Sequence, residues 1–399
     1  MERCTVDDVK NVRVQGERGF TLIELMISIV ISSVIVAGGY TVLTTTHRAT
    51  ISNERAVGTQ QNVRVAMEVI ARDIKQAGFG MPLAPNTPVG GTAGNCATGT
   101  TTAAIRPIDN NSAIPLTAVN DTGADTISLV VPRTNATNGA VLGWVLTSPA
   151  PVAGAGSFNT ITLTATAVTE MVAEGMANGS GAYISLGGVL TLPVTSSAGA
   201  IITLGSPTYA PINFPGSVTP GLGTQVYLLQ CVTYSVATPA QVVITPTLCG
   251  GFAGPCLTRT VDSGTALPVT TSLVDGVEDL QFAFGCDGCN TTIKAGVPDG
   301  VIDDFNGSNT FDEADFQTNR VWVFGTFDPA TIRLAQINIV ARQTAIDQGT
   351  GEGIQAGALS APLQVSDHLP SNDASYAAAN YQSFRRRVLT RTVDTRNMR

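Results

Sequence analysis

Lysine is almost missing from this 399-residue chain, which has only Lys10, Lys75 and Lys294. Histidine is scarcer still: His47 and His368 are too little for a multi-histidine metal site or for histidine-based catalysis. Charged residues make up 13% of the chain, about half the usual ~25%. The formal net charge is −8, and no tract rich in Lys or Arg runs through the middle, which argues against nucleic-acid binding. No nucleophile elbow, phosphate loop or HExxH pattern occurs, so no enzyme activity is expected. Apolar residues, in contrast, make up 43% of the chain, too much for a chain disordered throughout. The length allows one large domain or two to three ordinary ones.

The apolar residues are concentrated near the start. Phe20 to Leu43 is a run of 24 residues with one charge, Glu24. As a helix it reaches ~36 Å, enough to span a bilayer. A cleaved secretory signal has a shorter apolar core of ~7–15 residues and a small-residue cleavage site, and this run has neither feature. A plain membrane anchor leaves Glu24 unexplained, because an ionisable group at that depth is costly and needs a partner.

Arg18-Gly-Phe-Thr-Leu-Ile-Glu-Leu-Met26 resembles the cleavage and methylation motif of type IV pilins and their relatives. The resemblance implies that a prepilin peptidase cuts after Gly19 and methylates the new amino terminus of Phe20. It also gives Glu24 a role, pairing with the Phe20 ammonium of a neighbouring subunit inside an apolar filament core. Residues 1–19 would be the leader, in which Arg3, Lys10, Arg13 and Arg18 balance Glu2, Asp7, Asp8 and Glu17.

Beyond Leu43, apolar side chains recur at Val63, Met67, Ile70, Ile74 and Ala77, the spacing of one helix face. Gly78, Gly80 and Pro82 supply the stop. One helix is therefore expected over roughly 20–77, ~85 Å long if unbroken, with Gly38, Gly39 and Gly58 as its weak points. His47 falls just past the apolar run and reads as an interfacial residue. After residue 82 the texture turns to Thr, Gly, Ala, Val, Pro and Ser. Candidate strands are Thr126–Val131, Thr160–Ala165, Val226–Val236, Gln241–Thr245, Leu273–Phe284, Val321–Phe324, Arg333–Val340 and Phe384–Asp394. The expected fold is α+β: a long N-terminal helix, transmembrane over 20–43, packed on a β-rich pilin-like head that spans 82–399.

Further stretches resemble PilW-type minor pilins: Ile70 to Phe79 at the helix end, Leu273 to Gly285, Ile332 to Arg342 and Phe384 to Val393. Residues 82–230 resemble nothing familiar and read as a large β insertion, with 231–399 as the PilW-like part. The resemblance implies a minor pilin that initiates or caps a type IV pilus. Its partners would be other major and minor pilins, the prepilin peptidase and the inner-membrane assembly machinery. The head would be periplasmic first and displayed on a cell-surface pilus afterwards. Two rival readings are a minor pseudopilin of a type II secretion system and a pilus-tip adhesin whose ligand-binding module is 82–230.

Cleavage would remove Cys4 and leave six cysteines, an even number suited to disulfides in an exported head. Six cysteines allow 15 pairings. Local bridges Cys249–Cys256 and Cys286–Cys289 are preferred, leaving Cys96 and Cys231. An acidic loop presents Asp304, Asn306, Ser308, Asp312 and Asp315 at positions 1, 3, 5, 9 and 12 of a candidate Ca²⁺ loop. Gly307 at the fourth position and Asp at the twelfth depart from that pattern, so a solvated turn competes with it. Glu278 and Asp279 should point to opposite faces of a strand, a poor acid/base pair. Arg385-Arg386-Arg387 reads as a solvated strand end.

Overall fold

A computed structural model describes residues 19–79, 96–98, 101–102, 104–108, 123–134, 141–148, 160–176, 182–188, 190–204, 221–238, 241–242, 245, 247–261, 268–289, 297–318, 320, 322, 327–344, 362–373, 376–377, 381, 383–395 and 397. One 55-residue helix, α1 (Leu22–Gln76), carries the apolar run and the amphipathic stretch without a break at Gly38, Gly39 or Gly58. A Cβ at any of those three glycines would meet nothing within 4 Å, so no contact within the chain demands glycine there. Thr21 caps the helix and Ala77 ends it. Its buried positions all lie at the far end: Val63, Ala66, Met67, Ile70, Ala71, Asp73 and Ile74. The membrane-length half is bare, with Leu22 to Leu43 exposing side chain after side chain. Among the described residues α1 is the one helix long and apolar enough to cross a membrane.

The head is antiparallel throughout its named strand pairs. In chain order its strands are β1 (Ala97–Thr98), β2 (Thr101–Thr102), β3 (Ile105–Ile108), β4 (Thr126–Pro132), β5 (Gly143–Val145), β6 (Thr160–Thr162), β7 (Tyr183–Leu186), β8 (Leu190–Ala198), β9 (Ile201–Leu204), β10 (Gln225–Ala237), β11 (Cys256–Val261), β12 (Val269–Asp275), β13 (Val277–Cys286), β14 (Ile332–Arg342) and β15 (Arg386–Asp394), with a short helix α2 (Ala165–Ala173) after β6. The main sheet runs β12-β11-β10-β7-β8-β9-β6, with β4 and β5 also on β10 and β3 on β4. A separate three-stranded sheet has the order β13-β14-β15. Its register sets Phe282 beside Ile337 and Ile337 beside Arg391, one cross-strand row.

Two cores result. The first joins Val63 to Ala77 of α1 to β3, β4, β10, β11, β13 and β14, with Phe282, Phe284, Trp322 and Ile337 at its centre. The second is closed by Leu146, Ile161, Met171, Ile184, Ile202 and Leu228 and belongs to β6–β9, α2 and the start of β10. The expected division at 230/231 therefore cuts through β10. Ile105, Ile127, Leu129 and Val131 of β3 and β4 lie in the first core with the helix rather than in the second. The expected strand Thr160–Ala165 stops at Thr162, because Thr164 caps α2 by accepting the Ala167 N–H. Of the expected strand Gln241–Thr245, residues 241, 242 and 245 lie among those described, and they are not in a strand: the Val242 N–H donates to the Thr238 carbonyl and the Thr245 N–H to the Gln241 carbonyl, in the helical spacing. Of the expected strand Val321–Phe324, only Trp322 lies among the described residues, where it bridges to Phe327.

Candidate functional site

The processing end comes first. Phe20 is 86% exposed, ahead of the Thr21 cap. The Glu24 carboxylate accepts from the Thr21 N–H and hydroxyl, each at 3.0 Å, while the Thr21 hydroxyl accepts the Glu24 N–H at 3.3 Å. This is a capping box, two end groups of the helix satisfying one another. In the single chain Glu24 is thus turned back on its own first turn. To pair with an ammonium on a neighbour, its side chain swings away from Thr21.

The helix is fastened to the head by ion pairs. Asp73 is 2% exposed and lies on the same stripe as Ile70, Ile74 and Ala77. Its Oδ2 accepts from the Tyr234 hydroxyl at 2.6 Å and from Arg259 Nε and Nη2 at 3.2 and 3.0 Å, while Arg72 approaches Oδ1 at 3.4 Å. Burial, then the Asp73 carboxylate, push the Tyr234 phenol above its usual range, so it stays a donor. Arg259 is held above its ordinary value: burial opposes its charge, but Tyr234 and Asp73 outweigh that. A second tie joins Arg391 of β15 to Glu68. Hydrogen bonds and charge from Arg391 lower the Glu68 carboxyl. Asn397 Nδ2 also donates to the Lys75 carbonyl at 2.8 Å.

Glu278 and Asp279 do diverge. Glu278 receives Arg342 at 3.2 Å and a two-point contact from Arg386. Only 3% of the Arg386 side chain is exposed, and it also lies over the Tyr381 ring, so within the expected solvated strand end the Arg386 side chain is instead buried, while Arg387 stays exposed. Asp279 faces the other way and accepts from His368 Nδ1 at 2.7 Å, while Nε2 of the same ring bonds Asp373 at 2.9 Å. Burial disfavours the imidazolium, but these two carboxylates raise His368 to about 10. His368 thereby clamps the segment before β15 onto β13.

The cysteines pair as Cys96–Cys231, Cys249–Cys256 and Cys286–Cys289, with Cα separations of 5.9, 5.8 and 5.8 Å. The first ties the segment ahead of β1 to β10; the others close local loops. The side-chain oxygens of the acidic loop turn inward onto the loop itself. Asp304 accepts the Gly307, Ser308 and Asn309 N–H groups at 2.6, 3.3 and 2.6 Å. Desolvation opposes its charge, but these N–H donors hold its carboxyl below the usual value. Asp315, fully buried, accepts the Phe305, Asn306 and Asp312 N–H groups. Asn306 Nδ2 donates to Asp312, and the Ser308 hydroxyl donates to the Thr310 carbonyl. Gly307, with φ +76°, makes the turn two residues earlier than a calcium loop requires. The five residues as placed do not fit a Ca²⁺ ion. Among the described residues, the carboxylate and thiol atoms that converge are those of Cys286, Cys289 and Asp303, and there the two sulfurs are already bonded to one another.

Asp73, Tyr234, Arg259 and His368 were not singled out from sequence. Asp73 left a readable signal, since a carboxylate on the apolar stripe of an amphipathic helix requires a buried partner.

These features fit a membrane-anchored subunit whose bare apolar helix is joined by buried contacts and ion pairs to a disulfide-bonded β head. Residues 15–40 match the prokaryotic N-terminal methylation motif, and residues 233–397 match the family described as type IV pilus-assembly protein W. No curated protein and no solved structure matches the chain. The two matches support a minor pilin of a type IV pilus, involved in pilus assembly, and imply that it works with a pilus assembly system and other pilins.

Proposed function

We propose that this subunit helps to initiate or cap the pilus, and that it acts by packing rather than by catalysis. The observation that carries this is the membrane-length half of α1, apolar, fully exposed and with Glu24 as its one charge. Cleavage after Gly19 frees the Phe20 amino group, and Glu24 of one subunit neutralises that of the next as helices leave the inner membrane. The periplasmic head then contacts other minor subunits and travels to the cell surface. A second cored unit on β10 makes the head bulky, which suits a tip better than a repeating shaft. The match of 233–397 to a pilus-assembly family favours a pilus over a secretion pseudopilus. Glu24→Ala should be cleaved normally yet recovered poorly in sheared pili. Gold-labelled antibody should mark pilus ends, and wild-type recovery of Glu24→Ala or even decoration of the shaft would refute the proposal.

A further inference from the structure

A cleft of about 360 Å³ opens where the end of α1 meets both halves of the head. Arg72, Arg133 and Arg259 line it together with Glu174, Gln230 and Thr271. The concentration of positive charge is unusual for this chain. Between residues 80 and 290 the basic residues are Arg106, Arg133 and Arg259, and two of these three face this cleft in a protein of net charge −8.

The guanidiniums are set in place by the fold. Asp73 holds Arg259 on one oxygen, at 3.0 Å, and Arg72 on the other, at 3.4 Å. Arg133 Nη1 donates to the Glu174 carbonyl at 2.8 Å, at the C-terminal end of α2, where a cation is favoured. Its guanidinium lies flat on Gly175, where φ is +99° and a Cβ would sit 2.6 Å from Nη1, so a side chain there would displace it. The Arg72 side chain remains 62% exposed at the mouth. Three guanidiniums line the cleft, with the Glu174 carboxyl beside them and Asp73 behind Arg72 and Arg259, so cationic groups dominate its charged lining.

We propose that this cleft binds a carboxylate-bearing segment of a neighbouring pilus subunit. Guanidinium forks match carboxylate geometry, and the threonine and glutamine supply neutral hydrogen bonds to a peptide. A lipid headgroup is out of reach, because α1 rises roughly 45 Å between Leu43 and Arg72. What stands beside α1 at that height in a packed filament is another subunit, a step that rests on the assembly reading above.

The test uses the full-length chain in detergent and a fluorescent hexaglutamate peptide as probe, with hexaglutamine, inorganic phosphate and anionic lipid vesicles as separate arms. Hexaglutamate should bind, weaken as salt rises, and lose at least tenfold in affinity in both Arg72→Gln and Arg133→Gln. Hexaglutamine and the vesicles should show no binding that depends on these arginines. Equal binding of the two peptides, or unchanged binding in both variants, overturns the proposal. Displacement of the peptide by micromolar phosphate also overturns it, in favour of a small-anion site. Arg72 is largely exposed, so Arg72→Gln keeps the test valid if Arg133→Gln does not fold. This measurement needs no pilus, so a failure here is distinct from a failure of Glu24→Ala to impair assembly.

Discussion

Replacing Asp73 with Asn should loosen the join between helix and head more than any other single isosteric change. The carboxylate is 2% exposed and receives Tyr234, two nitrogens of Arg259 and, at longer range, Arg72. Asparagine preserves the volume but removes the charge, and its NH₂ group turns a donor toward donors. Arg259, 19% exposed at its side chain, is then left buried without its counter-charge. Breaking a buried pair by removing one partner costs ~3–5 kcal/mol, and the partial exposure of Arg259 and Arg72 places this case near ~3 kcal/mol. For a head of this size the midpoint of thermal unfolding should fall by roughly 4–6 °C. The assay is thermal unfolding of the full chain in detergent, followed by near-UV circular dichroism. The combined variant Asp73→Leu with Arg259→Met removes both charges and should recover at least half of the loss, since apolar replacement of a whole buried pair is often neutral. An Asp73→Asn midpoint within 1 °C of wild type would refute the reasoning. So would a double variant no more stable than the single one.

Removing Cys96–Cys231 by Cys96→Ala should cost more than removing Cys249–Cys256 by Cys249→Ala, because the bridges span 135 and 7 residues of sequence. Loop-closure entropy sets the two losses near ~5 and ~2 kcal/mol, and denaturant titration of the two variants would expose a reversed order. His368, raised to about 10 in the folded chain, favours folding fully below its ordinary value near 6.5, and that contribution is lost as pH climbs toward 10. Wild-type stability should therefore decline across pH 7–10, and the decline should flatten in His368→Gln; parallel curves would contradict the assignment. Gly58→Ala should stabilise α1 by up to ~1 kcal/mol, since a Cβ there meets nothing within 4 Å, and a lowered melting midpoint would count against it.

Local patterns were the legible part of this chain. The apolar run, the motif around Gly19 and the 4-3-4 spacing from Val63 to Ile74 each state their element within a few residues, and α1 follows them closely. The late strand β14 was legible for the same reason, although alternating burial holds only from Leu334 to Ile337 and Asn338 to Ala341 are all buried. The expected strand Leu273–Phe284 is instead broken at Gly276, where φ is +80°, into β12 and β13. Short elements in threonine-rich sequence were not legible. Ala165–Ala173 is nine residues with β-branched side chains at four of them, and only the Thr164 cap distinguishes it from strand. The partners of β10 are non-local: this one strand pairs with β4, β5, β7 and β11, and no sequence spacing announces that. The acidic loop imitated a cation site because position alone was read, whereas its carboxylates spend their oxygens on the N–H groups of the loop itself.

The two halves of α1 place opposite demands on their surroundings. From Val63 onward the helix finds its burial within the chain, and Asp73, Glu68 and Lys75 add polar ties to β10, β11, β15 and the segment after it. From Leu22 to Leu43 it finds none, and Glu24 is satisfied only by the residue three positions before it. Each large apolar side chain there has about 1.5–3 kcal/mol to gain from burial, so the segment is stable only in a bilayer or against other helices. Moving from one environment to the other exchanges lipid for helix at nearly constant apolar contact, and what changes is the environment of Glu24. Under the proposed pairing, Glu24 would leave its own cap for an ammonium on a neighbour, and that exchange would distinguish a packed helix from one in lipid. The same helix is tied to the head by Asp73, beside the arginine cleft, so the apolar half and that cleft belong to one continuous element.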